Sequence, residues 1–386
     1  MLNYLVHMSP RIFYSPLISF QIIPSESINS YLLQLIYFLI IIFTLAFLNQ
    51  KLQTYMWLRG AEASLKRLQI LANKSKEITI KKIKELGKLE LDPSSSIENF
   101  LDFFVIEPTS LDPYGIVNKL KHILSTRDER IESFIKQVAP TIPQTYIPNV
   151  EGLLETTIGL NELYKIIRHY FILGKKTRNM FLLMQLQMNL PIIMRYAEAY
   201  FKATYAFSRG TPIGDGIGAL IASKLMYGKE VKLLTRKTVF SEFEYNGRKL
   251  IVIKAEGPGA EVGKIDDAVE RIMNIHGDKI SRIIMIDAAL KLEGEKTGHI
   301  AEGVGAAIGG TGIEKFKLEE IATKYNIPLD ALIIKMSLEE AITTIRKDII
   351  NAADIVIKKV FEIVDTRSSV GDAIIVVGVG NSMGII

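Results

Sequence analysis

Eighteen consecutive residues, Tyr31 to Leu48, carry no charge, no glycine and no proline. As a helix they extend about 27 Å, close to the hydrocarbon thickness of a bilayer. Asn49, Gln50 and Lys51 follow the run, with no small-residue cleavage pattern, so the segment reads as a retained membrane span and not as a signal peptide. Residues 1–30 hold one Lys or Arg, Arg11, whereas residues 51–88 hold ten. The positive-inside rule then places the C-terminal bulk in the cytoplasm. This predicts a single-pass protein of the cell membrane. Residues 1–30 form a short extracytoplasmic N-terminus, 31–49 the transmembrane helix and 50–90 a basic juxtamembrane helix. Two readings of residues 51–88 stand: contact with anionic lipid headgroups, or a solvated helix leading into the next domain.

The mean hydropathy of +0.21 is accounted for in part by that span. The absence of cysteine excludes disulfides, thiolate metal sites and a cysteine nucleophile. A net charge of +5 spread over 386 residues gives no footprint for nucleic acid.

Residues 91–208 read as a helical domain. Asp112-Pro113 has the form of a helix start, and Thr126-x-x-Glu129 has capping-box spacing. A helix over 150–173 is expected to stop at Gly174. A second apolar stretch, 180–207, is interrupted by Gln185, Arg195, Glu198 and Lys202, so it reads as a buried helix kinked at Pro191 and not as another span.

From 209 to 386 the periodicity changes. Apolar runs at 250–255, 282–287, 331–336 and 373–378 alternate with helical patterns over 264–276, 314–325 and 338–364. Strands apolar throughout and separated by helices indicate a mainly parallel sheet covered on both faces. The expected class is α/β: an N-terminal transmembrane helix, a helical middle domain and a C-terminal three-layer α/β domain.

Chemistry in such sheets sits outside the carboxyl ends of the strands. Four glycine-rich loops have that position or a comparable one: Gly210 to Gly218, with Gly214 and Gly216 flanking Asp215; Gly257-Pro258-Gly259; the stretch after Asp287 through His299 to Gly303, Gly305, Gly309 and Gly310; and Gly378-x-Gly380-Asn381. Their glycines let backbone amides approach an anion. Neither a GxxxxGK[ST] phosphate loop nor a GxGxxG dinucleotide fingerprint is present. Asp287 ends a buried strand, where a carboxylate is costly unless paired, hydrogen-bonded or metal-bound. With Asp215 it forms a candidate catalytic pair, and with His299 a candidate ligand set for a divalent metal.

The segments DPYGIVNKLKHILSTRDER, PIGDGIG, KAEGPGAEVGK and MIDAALKLEGEKTGHIAEGVGAAIGGTGIEK, with the terminal VVGVGN, resemble an archaeal membrane-anchored family known only as a domain of unknown function. That resemblance covers nearly the whole chain and implies no activity. The α/β part alone is similar to hydrogenase maturation endopeptidases and the spore germination protease. It shares the order of a TPxGDxxG turn, a helix, a strand ending in IDA and a glycine-rich loop. The similarity implies a peptidase-like hydrolase with Asp215 and Asp287 as acid pair or metal ligands. Thr211 stands where those enzymes have asparagine, and the GVGN at 378–381 would require a circularly rearranged sheet. The alternative expectation is a non-catalytic, membrane-tethered scaffold or sensor that recruits partners through its helical domain.

Overall fold

The computed structural model describes residues 25–106, 115–310 and 312–386. Residues 1–24 and the Asp112-Pro113 helix start lie outside the described residues. The chain divides into two units, residues 1–57 and 58–386.

Helix α1, Ser25–Leu86, contains the apolar run. Among the described residues it is the one helix long and apolar enough to cross a membrane; its most apolar window has a mean hydropathy of 2.5 and is wholly exposed. From Leu58 onward α1 is part of a helical bundle with α2 (Ser94–Phe100), α3 (Ile116–Val138), α4 (Ile147–Thr177) and α5 (Met180–Arg209). Ala61, Leu68 and Ala72 pack with Leu160, Ile167, Phe171, Leu186 and Leu190. Ile83 joins a second cluster with Ile97, Ile131, Ile135 and Leu154. Between the two lies a buried hydroxyl cluster in which Thr157 meets Ser75 at 2.8 Å and Thr79 at 2.7 Å, while Ser75 meets Thr204 at 2.9 Å. The basic segment, read as lying on headgroups or as leading into the next domain, therefore spends its apolar face on α4 and α5. The reason is that this face matches theirs in helical period, so burial within the bundle satisfies it.

Two local expectations change. Thr126 lies inside α3 and donates to the His122 carbonyl at 2.9 Å, so it opens no helix. Helix α4 runs past Gly174 to Thr177 and ends on Arg178 in the left-handed region (φ 53°). Gly174 instead lets Leu182 and Leu183 of α5 pack close to α4. Helix α5 passes through Pro191, is capped by the Asn179 side chain at the Leu182 amide, and ends on Gly210.

Beyond Gly210, α6 (Ile217–Met226) precedes a hairpin of β1 (Lys232–Thr235) and β2 (Thr238–Tyr245). Then come β3 (Arg248–Ala255), α7 (Ile265–His276), β4 (Ile280–Leu290), β5 (Ile300–Val304), α8 (Ile313–Tyr325), β6 (Leu329–Met336), α9 (Leu338–Ile342), α10 (Lys347–Arg367) and β7 (Ala373–Gly378). The seven strands form one sheet in the order β1-β2-β3-β7-β4-β6-β5. Its centre, β3, β7, β4 and β6, is parallel, and the hairpin and β5 add antiparallel edges. The four expected strands are these central four. The helix expected over 338–364 is two helices, broken where Thr344 bridges to Ile213.

Alternation along each strand sends successive side chains to opposite faces. Leu250, Val252, Ile284, Ile286, Ile374 and Val376 pack under α6 and α10. Ile251, Ile253, Ile283, Met285, Ile375 and Val377 pack under α7 and α8. Two helical layers thus enclose the sheet.

Candidate functional site

The site lies where β7 and β4 end side by side. Gly378 pairs with Ile286, and the next amide, Val379, donates to the Ile286 carbonyl at 2.8 Å. Asp287 is the following residue of β4 and is 6% exposed. The turn Gly214–Gly216 and the start of α6 close over the same strand ends: a methyl group on Gly218 would overlap the carbonyls of Val379 and Ile286. Glycine is therefore required there by backbone-to-backbone approach. Asp215, in that turn, receives the Asn381 backbone amide on Oδ2 at 3.1 Å.

The two carboxylates predicted from sequence are thus brought to one place, Asp287 buried and Asp215 half-buried. Burial pushes Asp287 up to about 8, and the nearby charge of Asp215 pushes in the same direction. The amides of Ala288, at 2.7 Å from Oδ1, and of Gly309 hydrogen-bond to Asp287 and oppose that rise. Asp215 is also raised, by burial first, with the Asn381 amide opposing. Burial and the neighbouring carboxyl together favour the protonated form of Asp287 near neutral pH.

Most of the other predicted residues do different work. His299 stands in the turn before β5, where its carbonyl accepts from the Lys335 amide at 2.8 Å. Among the described residues no group of three or more His, Cys, Asp or Glu is placed to hold a metal, so His299 does not complete a ligand set with the aspartates. The segment in which it lies folds as a strand at the edge of the sheet and not as a loop over the site. Gly303 belongs to β5, opposite Ala331, and the Gly305 amide is taken by the Leu329 carbonyl at 3.0 Å. Gly310 precedes α8 with φ 92°. Of that glycine-rich stretch, Gly309 is the residue whose amide reaches the pair.

The Gly257-Pro258-Gly259 loop is packed against the C-terminal segment. Ser382 Oγ donates to the carbonyls of Glu256 (2.6 Å) and Gly259 (2.9 Å), and the Gly384 amide donates to Pro258 (2.9 Å). A methyl on Gly257 would overlap the Ile385 carbonyl. Both glycines serve close packing.

Next to Asn381 opens a polar cleft of about 230 Å³, bounded by α3, α4 and residues 236–237 and 260–264. Glu151 lines it, and burial raises its pKa to about 7 against the opposing charge of Lys237. Lys237 sits 3.1 Å from Glu261. No sequence motif marks this cleft, because its residues come from six separated segments of the chain.

Comparisons with curated proteins and with solved structures return no match. Residues 35–210 match the model of the protein of unknown function (DUF1512) N-terminal domain. Residues 213–386 match that of the domain of unknown function (DUF1512) C-terminal. The junction between the two, at 211–212, falls where α5 ends and the α/β domain begins. The bundle and the sheet are thus the two halves of one known pairing, and the chain belongs to the DUF1512 family.

Proposed function

We propose that the chain is a membrane-anchored hydrolase, peptidase-like in its chemistry, whose α/β domain faces the cytoplasm and uses Asp215 and Asp287 as an acid pair. The observation that carries this reading is the meeting of the Asp215 turn with the joined ends of β4 and β7, where Asp287 is buried and held protonated near pH 7. A protonated Asp287 suits the protonation of a leaving group, and Asp215 beside it suits the activation of water. The Gly309 amide, already directed at Asp287, is a donor for developing negative charge. The position of β7 between β3 and β4 supports the peptidase-like resemblance: it sets the Gly378–Asn381 turn beside the Gly214–Gly218 turn, as a circularly rearranged sheet requires. The excess of basic residues after Leu48 supports the cytoplasmic orientation.

The test uses the full chain in membranes. Infrared spectroscopy at pH 7 is expected to show a carboxylic-acid band that Asp287→Asn abolishes. Incubation with a mixed peptide pool, followed by mass spectrometry, is expected to show cleavage by the wild type and none by the folded Asp287→Asn protein. Identical product profiles for the two would overturn the assignment of catalysis to this pair.

A further inference from the structure

Between Leu163 and Ala197 the chain carries six Lys or Arg residues and no Asp or Glu. This stretch is the α4–α5 hairpin, and its turn holds Lys175, Lys176 and Arg178, all exposed. No ion pair engages these three among the described residues. Ile172 (46%), Leu173 (37%) and Phe181 (67%) are exposed beside them. An apolar surface rimmed by unpaired positive charge is complementary to an anionic lipid surface, where side chains insert at the headgroup boundary and cations meet phosphate.

Helix register shows which end of the bundle this turn occupies. Gly60 of α1 lies against Gln187, Arg67 pairs with Glu198, and Ser75 bonds Thr204. Helices α1 and α5 therefore run parallel, while α4, with Thr157 level with Ser75, runs back. Met180 begins α5 seven residues before Gln187, so the turn projects about 10 Å past the level of Gly60. That is the end at which the chain joins the bundle, at Leu58. Ten residues of chain connect Leu58 to Leu48, the last residue of the apolar run, a tether of at most ~35 Å even fully extended.

We infer that the α4–α5 turn is a second membrane contact: Ile172, Leu173 and Phe181 enter the headgroup region of an anionic bilayer, and Lys175, Lys176 and Arg178 bind its phosphates. The inference rests on the reading of Tyr31–Leu48 as a membrane span. The two contacts together fix the bundle against the bilayer, which a single helix would leave free to swivel.

The chain has no cysteine, so a single introduced thiol reports one place. Phe181→Cys, labelled with an environment-sensitive fluorophore, is reconstituted as the full chain in phosphatidylcholine vesicles with and without phosphatidylglycerol. Tyr227→Cys, at an exposed position of the α/β domain, is the control. Flotation first shows whether the chain enters the vesicles; failure to float overturns the span and the hairpin contact with it. Given flotation, the Phe181 probe is expected to shift to the blue in phosphatidylglycerol vesicles and to be quenched by headgroup spin labels. High salt, or Lys175→Gln/Lys176→Gln/Arg178→Gln, is expected to remove that shift. A Phe181 probe that behaves like the Tyr227 probe in every vesicle would overturn the inference while leaving the span intact. A blue shift that instead persists in detergent and grows with protein concentration would assign the surface to a second copy of the chain and overturn it equally.

Discussion

The backbone amide of Asn381 donates to Asp215 Oδ2 at 3.1 Å, joining two turns 166 positions apart in the chain. The junction has no spare room. Gly380, with φ 117°, lies against the Asp215 carbonyl, where a methyl group would overlap it.

Gly380→Ala is therefore expected to be strongly destabilising. The left-handed backbone costs about 1–2 kcal/mol for a non-glycine residue, and overpacking adds ~1–3 kcal/mol. Gly228→Ala is the matched control: φ is 73° but the space around it is open, so only the backbone cost of ~1–2 kcal/mol applies. Urea denaturation of the two variants checks the difference.

Asp287 makes stability depend on pH in a definite direction. Its carboxyl keeps a proton in the folded protein up to about pH 8, whereas its ordinary value is 3.8. Between those values the folded state binds the extra proton, so stability falls as pH rises. Asp287→Asn is expected to flatten the profile across this window and to exceed the wild type at pH 9, by ~2–4 °C in Tm for each kcal/mol gained. Thermal unfolding at pH 5, 7 and 9 measures it.

Removing the charge of Asp215 separates the two causes of that shift. In Asp215→Asn the proton on Asp287 is expected to come off at lower pH than in the wild type. It stays above the ordinary carboxyl value, because burial is the larger cause. Carboxyl-selective NMR titration reads the change; an unaltered titration would show that the two side chains do not share a field.

The helical bundle has its own test in the hydroxyl cluster. Thr157→Val keeps the volume but removes one partner each of Thr79 and Ser75, both fully buried. A loss of about 1–3 kcal/mol is expected, measured by denaturant unfolding.

How much of this was readable depended on whether burial or pairing fixed each element. The central strands β3, β4, β6 and β7 were legible because both of their faces are covered, which leaves an unbroken apolar run in the sequence. The β1–β2 hairpin was not. Its turn is Arg236-Lys237, with Lys237 at φ 63°, and it lacks the Asn-Gly or Asp-Gly pair that marks tight hairpins. Strand β5 was read as loop, since it is exposed, contains Gly303 and owes its form to pairing with β6. The break before α10 follows from the Ile213–Thr344 bridge, a partner remote in sequence, although the Ser337–Glu340 capping box that opens α9 is a local signal. Asp215 and Asp287 stood out because a carboxylate at the end of an apolar strand or inside a glycine turn demands a reason. The Asn381 and Gly309 amides beside them did not, because every residue but proline has an amide, and only the fold says where it points.

The last strand to be synthesised, β7, sits in the middle of the sheet, between β3 and β4. Strands β3 and β4 have nothing between them until Ala373–Gly378 has left the ribosome, and the turn that fixes Asp215 follows later still. Until then β3, paired with β2, and β4, paired with β6, each keep one open edge. Residues 31–48 are made long before, so the turn that joins Asn381 to Asp215 forms only after the apolar run has left the ribosome.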